Sequence, residues 1–357
     1  MNKIKNVLFR AKLKGRGIVN FDSSDQKFVY NGSDMHHMKT LHDNTSYAKK
    51  KFYRDENNNL KYKISISSDC LRHDIFKDEI PFQSPNIING DHILYSFIAS
   101  PASLIRGYLF ADTSETLKRG GALTITDAIQ TCNAVSTIET FTKSGKKLTD
   151  SDKTDNTFFR KETIGDVEYQ TQGNIDLMTL QFVSCDKVFD RYAFNPDMFN
   201  IYKQFMSLKF PTFDSELGYY QIKSSDIDIP EHGLMLSNEN VVLLVKETLK
   251  KLFGLNITRK GSFANVTELQ YKLVQDPLTD TFHNDEGWVT ISSVNDINTI
   301  NFEVEQFYTL IDKNVATEKR RMIEEDYENR KNKDAETKAK KKSDAKKAKD
   351  KKNEDSE

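Results

Sequence analysis

The chain has 357 residues, 37% hydrophobic, 11% aromatic and 29% charged, enough to build a packed core as one large domain or two smaller ones. A mean hydropathy of -0.64 marks a wet surface with a disordered portion, and no window approaches the roughly 18 consecutive apolar residues of a membrane span. The net charge of -1 leaves nucleic acid open as a partner, because the charge is unevenly spread.

Residues 1–75 carry 15 Lys/Arg against 8 Asp/Glu, and residues 315–357 carry 15 against 12, so the middle is strongly acidic. A basic start beside an acidic body suits a protein that holds a phosphate chain on one face and meets neighbouring copies with the other. Ordinary solvated lysines would produce the same count. Cys70, Cys132 and Cys185 are far apart and form no CxxC pair, which excludes a disulfide framework and a cysteine zinc site. Met1 to Gly17 interleaves Lys and Arg with apolar residues and has no signal-peptide core. The expected location is the cytoplasm, with no membrane partner.

In chain order, Val7, Phe9, Ala11 and Leu13 alternate with Leu8, Arg10, Lys12 and Lys14, a strand with one core face and one basic face. Residues 22–60 are polar and are expected to make a long surface excursion. KYKISIS at 61–67 is a second strand, followed by a short helix to Phe76 capped by Ser68 or Asp69. His92 to Leu109 is helical and perturbed at Pro101. Residues 110–160 are mixed, with helical periodicity over Ile125–Ile138, and 158–190 are strand-rich. The helix at 239–253 is capped by Asn238, buries Val241, Leu244, Val245, Thr248, Leu249 and Leu252, and stops at Gly254. Strand-like residues follow from Leu255, and after about 315 the chain is Lys, Ala, Asp and Glu, a short helix at most and then disorder. Strands and helices mingle without regular βα alternation, which favours α+β.

No Walker motif occurs, and Gly15-Arg16-Gly17 lacks the third glycine of a dinucleotide fingerprint. Glycines beside Lys14 and Arg16 allow close approach to phosphate; a β-bulge explains them equally. His36, His37 and His42 lie among Asn, Asp and Ser without HExxH, so neither metal nor cofactor is expected. Cys70 and His73 stand at helical spacing, but no oxyanion or orienting group accompanies them, and a packed thiol is the commoner role. Arg106-Gly107, Lys118-Arg119-Gly120-Gly121 and Arg259-Lys260-Gly261 repeat a base-plus-glycine theme. Phe158-Phe159-Arg160-Lys161 interleaves aromatic and basic residues in the manner of a surface that stacks bases.

Five blocks, GRGIVNF (15–21), KISISSDCLRHDIF (63–76), LIRGYLF (104–110), the stretch 157–191 and the stretch 232–266, together resemble the crRNA-binding backbone subunits of CRISPR surveillance complexes. These belong to the RAMP superfamily, and the compact variant of type I-F is most similar. The resemblance implies an α+β fold with a modified RNA-recognition-motif (ferredoxin-like) palm and inserted finger and thumb elements. It implies a non-catalytic subunit whose copies stack head to tail along the crRNA spacer, with other CRISPR subunits, and leave its bases for pairing with target DNA. Carried over block by block, the RNA-binding residues are Lys14, Arg16, Arg72, His73, Arg106, Phe158, Phe159, Arg160, Lys161, Arg259 and Lys260, with Lys118 and Arg119 joining them from their base-plus-glycine cluster.

The expected organisation is a crRNA-binding domain over 1–314, with insertions around 22–60 and 111–156, and a charged tail over 315–357. The stretch 111–156 and the tail depart from the family. Competing readings are a type III-like backbone cleaving target RNA through Asp34 or Asp43, a type IV or phage-borne relative, and a general single-strand RNA binder.

Overall fold

Alternation in the first strand, Asn6–Arg16, sets the geometry of everything around it. Val7, Phe9, Ala11 and Leu13 are buried, while Lys12, Lys14 and Arg16 are exposed on the other face, as a period of two requires. The computed structural model describes residues 3–22, 26–30, 34–38, 45–78, 91–111, 116–146, 154–187, 191–210, 212–223, 229–259, 261–322 and 325, with backbone alone at 22, 26–30, 34–38, 45–46, 91–92, 141–146 and 154–160.

Among the described residues this strand lies inside a nine-stranded antiparallel sheet. Its neighbours are Asp166–Asp176 on one side and Ser262–Val274 on the other, and the order runs Asn256–Arg259, Ser262–Val274, Asn6–Arg16, Asp166–Asp176, Ala128–Gln130, Leu60–Ile66, Lys50–Arg54. Leu123–Ile125 also pairs with Asp166–Asp176, and Val289–Ile291 with Ser262–Val274. Helices Ser68–Phe76, Pro101–Arg106 and Asn238–Phe253 pack on one another and join one hydrophobic core with the sheet. All six apolar-face residues expected in the long helix are buried; its cap is Ser237, whose Oγ accepts from Asn240 N, and Gly254 ends it. The short helix likewise starts one residue earlier than expected, with Ser67 as cap. Pro101 opens a new helix at its first turn, so 92–109 is two helices, Asp91–Ile98 and Pro101–Arg106.

Two expectations are corrected. Residues 125–138 are not helical: Leu123–Ile125 and Ala128–Gln130 are strands burying alternate residues. Ile and Thr crowd this stretch, and β-branched side chains pack well against the adjacent strand 166–176. The stretch 22–60 is not simply surface loop: Phe21–Asp22 and Thr45–Ala48 join the hairpin Ser136–Lys146 and Thr154–Ile164 in a four-stranded sheet, and Lys50–Arg54 edges the main sheet. Both sequence insertions thus meet in one sheet. A further sheet, in the order Phe182–Ser184, Glu231–Met235, Gly218–Ile222, Tyr308–Ile311, receives the helical residues 313–322, where Ala316 is fully buried and Arg320 pairs with Asp186. The folded chain therefore runs past residue 314; residues beyond 325 lie outside the described part.

Candidate nucleic-acid interface

The 68–76 helix is the hub of the expected site. Ser67 Oγ accepts from Cys70 N at 3.3 Å and fixes its start; a helical rotation of about 100° per residue then sends Arg72 and Asp74 to different sides. On one side Asp74, whose carboxylate is 1% exposed, takes both Nη atoms of Arg259 at 3.2 and 2.7 Å. Cys70 Sγ lies 3.7 Å from Asp74 and 3.6 Å from Arg259. Burial, then the Asp74 charge, raise the Cys70 thiol, which makes it a poor nucleophile. Arg259 is therefore spent holding the 256–274 hairpin to the helix.

On the other side Arg72 Nη2 donates to the Arg106 carbonyl at 3.0 Å, and Arg72 Nε is buried without a partner. Arg106 ends its helix, and Gly107 follows at φ 77°. A Cβ at Gly107 would come within 2.5 Å of Gly121 N, and one at Gly121 within 2.3 Å of the Arg106 carbonyl, so only glycine permits this crossing. Blocks 63–76, 104–110 and the 119–121 turn meet here. Burial, then the charge of Arg72, lower the Arg106 pKa.

The GRG and RKG motifs also adjoin, since Arg16 pairs in register with Phe263 and Gly17, at φ 74°, lies against Ser262 and Gly261. The open sheet face beside them is not a bare cationic platform. Lys14 pairs with Glu168 at 2.9 Å, Lys12 with Glu268 at 2.8 Å and Arg10 with Asp285 at 3.2 Å; the Glu168 hydrogen bond and charge raise the Lys14 pKa. Arg10 also lies 4.5 Å from the Trp288 ring centre.

Arg119 is a correction. It is buried, and its guanidinium donates to the carbonyls of Leu104, Phe182 and Thr179 at 3.3, 2.8 and 2.7 Å; it ties the 116–119 strand to its neighbours. Lys118 is half-buried in that strand and His73 is exposed on the helix. Lys161 lies 4.7 Å from the Phe21 ring centre. The side chains of Phe158, Phe159 and Arg160 lie outside the described ones, as do those of Asp34, His36 and His37; Lys260, His42 and Asp43 lie outside the described residues.

Sequence reasoning missed two buried clusters. Glu162 accepts from Ala48 N at 2.9 Å and Ser136 Oγ at 2.5 Å and pairs with Lys50 at 3.0 Å, pinning both insertions together. Cys185 Sγ lies 3.3 Å from His232 Nδ1, and His232 stacks on Tyr219. Burial, then Asp186, push the Cys185 thiol up to about 12. Neither cluster has a motif, because partners 26 to 114 residues apart leave no local pattern.

Arg72 and Arg106 thus stand at one glycine crossing, and Arg16 adjoins a second. The chain belongs to the type I-Fv CRISPR-associated Cas7fv-like family, whose sequence model matches residues 3–276. Two solved chains are similar. One, from a structure titled CRISPR RNA-guided surveillance complex, is 11% identical with a TM-score of 0.33 over 74% of this chain and 68% of that one. The other, titled CRISPR RNA-guided surveillance complex, pre-nicking, is 10% identical with a TM-score of 0.34 over 74% and 75%. Both are too distant to assign any residue. No curated protein matches. No helix among the described residues is long and apolar enough to cross a membrane.

Proposed function

We propose that this chain is a non-catalytic backbone subunit that oligomerises head to tail along the crRNA spacer and presents its bases to target DNA. The observation that carries the reading is the family match over residues 3–276, which spans all five sequence blocks. The order 262–274, 6–16, 166–176, 123–130, all antiparallel, supports a ferredoxin-like palm, since helices 68–76 and 238–253 fall between its first and second and its third and fourth strands in sequence. The sheet that joins 21–48 to the 136–164 hairpin supports reading the insertions as one finger-and-thumb unit. Residues 326–357 are proposed as the charged tail.

Arg72, His73, Arg106 and Arg16 are the proposed contacts to the guide backbone, with Lys118 at their edge. Phe158, Phe159, Arg160, Lys161 and Lys260 keep their proposed role from the family blocks. Arg119 and Arg259 support these contacts from behind, and Lys14 enters only by exchanging Glu168 for phosphate.

The test is to purify the chain from cells with its CRISPR locus, sequence the bound RNA, and image the particles. Short CRISPR transcripts in elongated multimers are expected; RNA-free monomers that ignore an added guide would end the proposal. Incubation with complementary RNA and Mg²⁺ is expected to leave it intact, and cleavage at regular spacing would instead establish the nuclease reading.

A further inference from the structure

We infer that residues 338–352 are a second nucleic-acid site, one that holds duplex DNA by its phosphates without reading sequence. The inference rests on the proposed function only for the number of copies that present it together.

Charge in the C-terminal stretch is segregated. Residues 338–352 hold nine lysines and two aspartates, a net charge of +7. Residues 323–337 before them hold six acids against three bases, and residues 353–357 after them hold three acids and no base. Like charges at this density repel one another until an extended anion answers them.

The root of the stretch is different. In the helix 313–322, Ala316 is fully buried, Lys319 Nζ donates to Gln221 Oε1 at 2.8 Å, and Arg320 holds Asp186 at 2.5 and 3.2 Å. Arg321 pairs with Glu318 and Glu325 at 2.7 and 2.5 Å. The fold thus clasps this helix to the sheet that ends at Tyr308–Ile311 and answers its last three cations, whereas the nine lysines beyond it exceed the acids interspersed with them. Neither the helix nor the lysine block falls within the family-matched residues 3–276, so neither repeats the guide contacts carried by the family blocks. The linking residues 323–337 span at most about 50 Å, which keeps the block within that distance of the clasped helix.

Composition selects the ligand. Besides lysine and aspartate the block contains only Ala339, Ser343, Ala345 and Ala348. Without an aromatic ring it cannot stack bases, the interaction that holds single strands regardless of sequence. Without a large apolar anchor it lacks the centre of a protein interface. Charge pairing with phosphate remains, strongest where phosphates lie densest, and a duplex carries one per about 1.7 Å of axis. Copies ranged along one guide present several blocks to the same duplex and multiply its retention.

The experiment uses the full-length chain as purified with its RNA. Beside it stand a variant carrying Lys338→Gln with the same change at the other eight lysines, and a variant with the block's residues shuffled. Binding of a labelled duplex unrelated to any guide is followed by fluorescence anisotropy between about 50 and 200 mM salt. The wild type is expected to bind with a steep salt slope, and the shuffled block to bind equally. The glutamine variant is expected to bind at least about tenfold more weakly, with a slope flatter by about 4–6. Guide content and Tm are expected to match in all three. Undiminished duplex affinity in the glutamine variant, a wild type that ignores the duplex, lost binding in the shuffled variant, or tighter binding of a single strand of equal length would overturn the site. Loss of guide RNA in place of duplex would return the lysines to the guide, and competition by polyglutamate as effective as by duplex would give them to an acidic protein; either refutes the duplex site. Should the chain emerge without RNA, the guide reading fails, and the same titration of the RNA-free chain decides the duplex site separately.

Discussion

Arg259 reaches Asp74 across 185 positions of sequence with both terminal nitrogens, at 3.2 and 2.7 Å from the two carboxylate oxygens. The carboxylate is buried and the guanidinium partly exposed, so the pair fastens the 256–274 hairpin to the 68–76 helix from its inner side. Arg259→Ala leaves a buried charge with Lys77 and the Cys70 thiol, each at 3.7 Å, to answer it. A loss of roughly 2–4 kcal/mol is expected in urea unfolding, with the salt dependence of RNA binding unchanged in what remains folded. A flatter salt slope at unaltered stability would make Arg259 an RNA contact instead.

Arg119 serves three carbonyls at once. Arg119→Met strips all three of their donor while keeping the volume. The expected cost is about 2–4 kcal/mol, again read by urea unfolding. A variant as stable as the wild type would show that those carbonyls find other partners.

Lys14, next to the first family block, and Arg106, within the third, are both basic, and the structure treats them differently. Lys14 already has Glu168 beside it, so binding RNA there exchanges one anion for another and releases few counterions. Lys14→Ala is expected to change the slope of log K against log salt by well under one. Arg106→Gln is expected to lower its magnitude by about one. The reverse ranking, measured by fluorescence anisotropy across salt concentrations, would move the RNA onto the open sheet face.

Burial lowers the His232 pKa below its ordinary 6.5, against the pull of Asp186 and with the help of Arg320 and Lys313. The unfolded chain then binds a proton that the folded chain refuses, so this contribution is fully present above pH 6.5 and is lost as pH falls below it. The Tm of the wild type is expected to drop more steeply between pH 7 and 5 than that of His232→Asn. Identical slopes would remove His232 from the acid response. The adjacent Cys185, raised to about 12, is expected to resist alkylation at pH 8 until the chain unfolds.

Glu162 gathers Ala48, Ser136 and Lys50 at the root of the long hairpin. In Glu162→Ala the backbone amide of Ala48 and the Lys50 ammonium lose their acceptor together. Amide exchange is expected to quicken in residues 45–50 and 136–140 and to stay unchanged in 6–16, by mass spectrometry. Uniform quickening would mean a global loss of stability instead of a loosened junction.

Local pattern was enough, by itself, for the two-faced first strand, the strand at 61–67, the long helix with its buried face and glycine stop, and the strand character of the residues that follow it, because periodicity and capping depend on neighbours a few residues apart. It was also enough for the family, since whole blocks such as LIRGYLF and KISISSDCLRHDIF carry it. The stretch 125–138 misled, as its apolar spacing fits a helix until the partner strand 166–176 is known. Which arginines face solvent was decided only in three dimensions: Arg119, Arg259 and Arg106 all sit beside glycine or at a turn, yet one is buried against carbonyls, one holds Asp74, and one is half-buried with its carbonyl taken by Arg72. A pairing such as that of Arg259 with Asp74, 185 positions apart, depends on where distant segments come to rest, and no local sequence window contains that information.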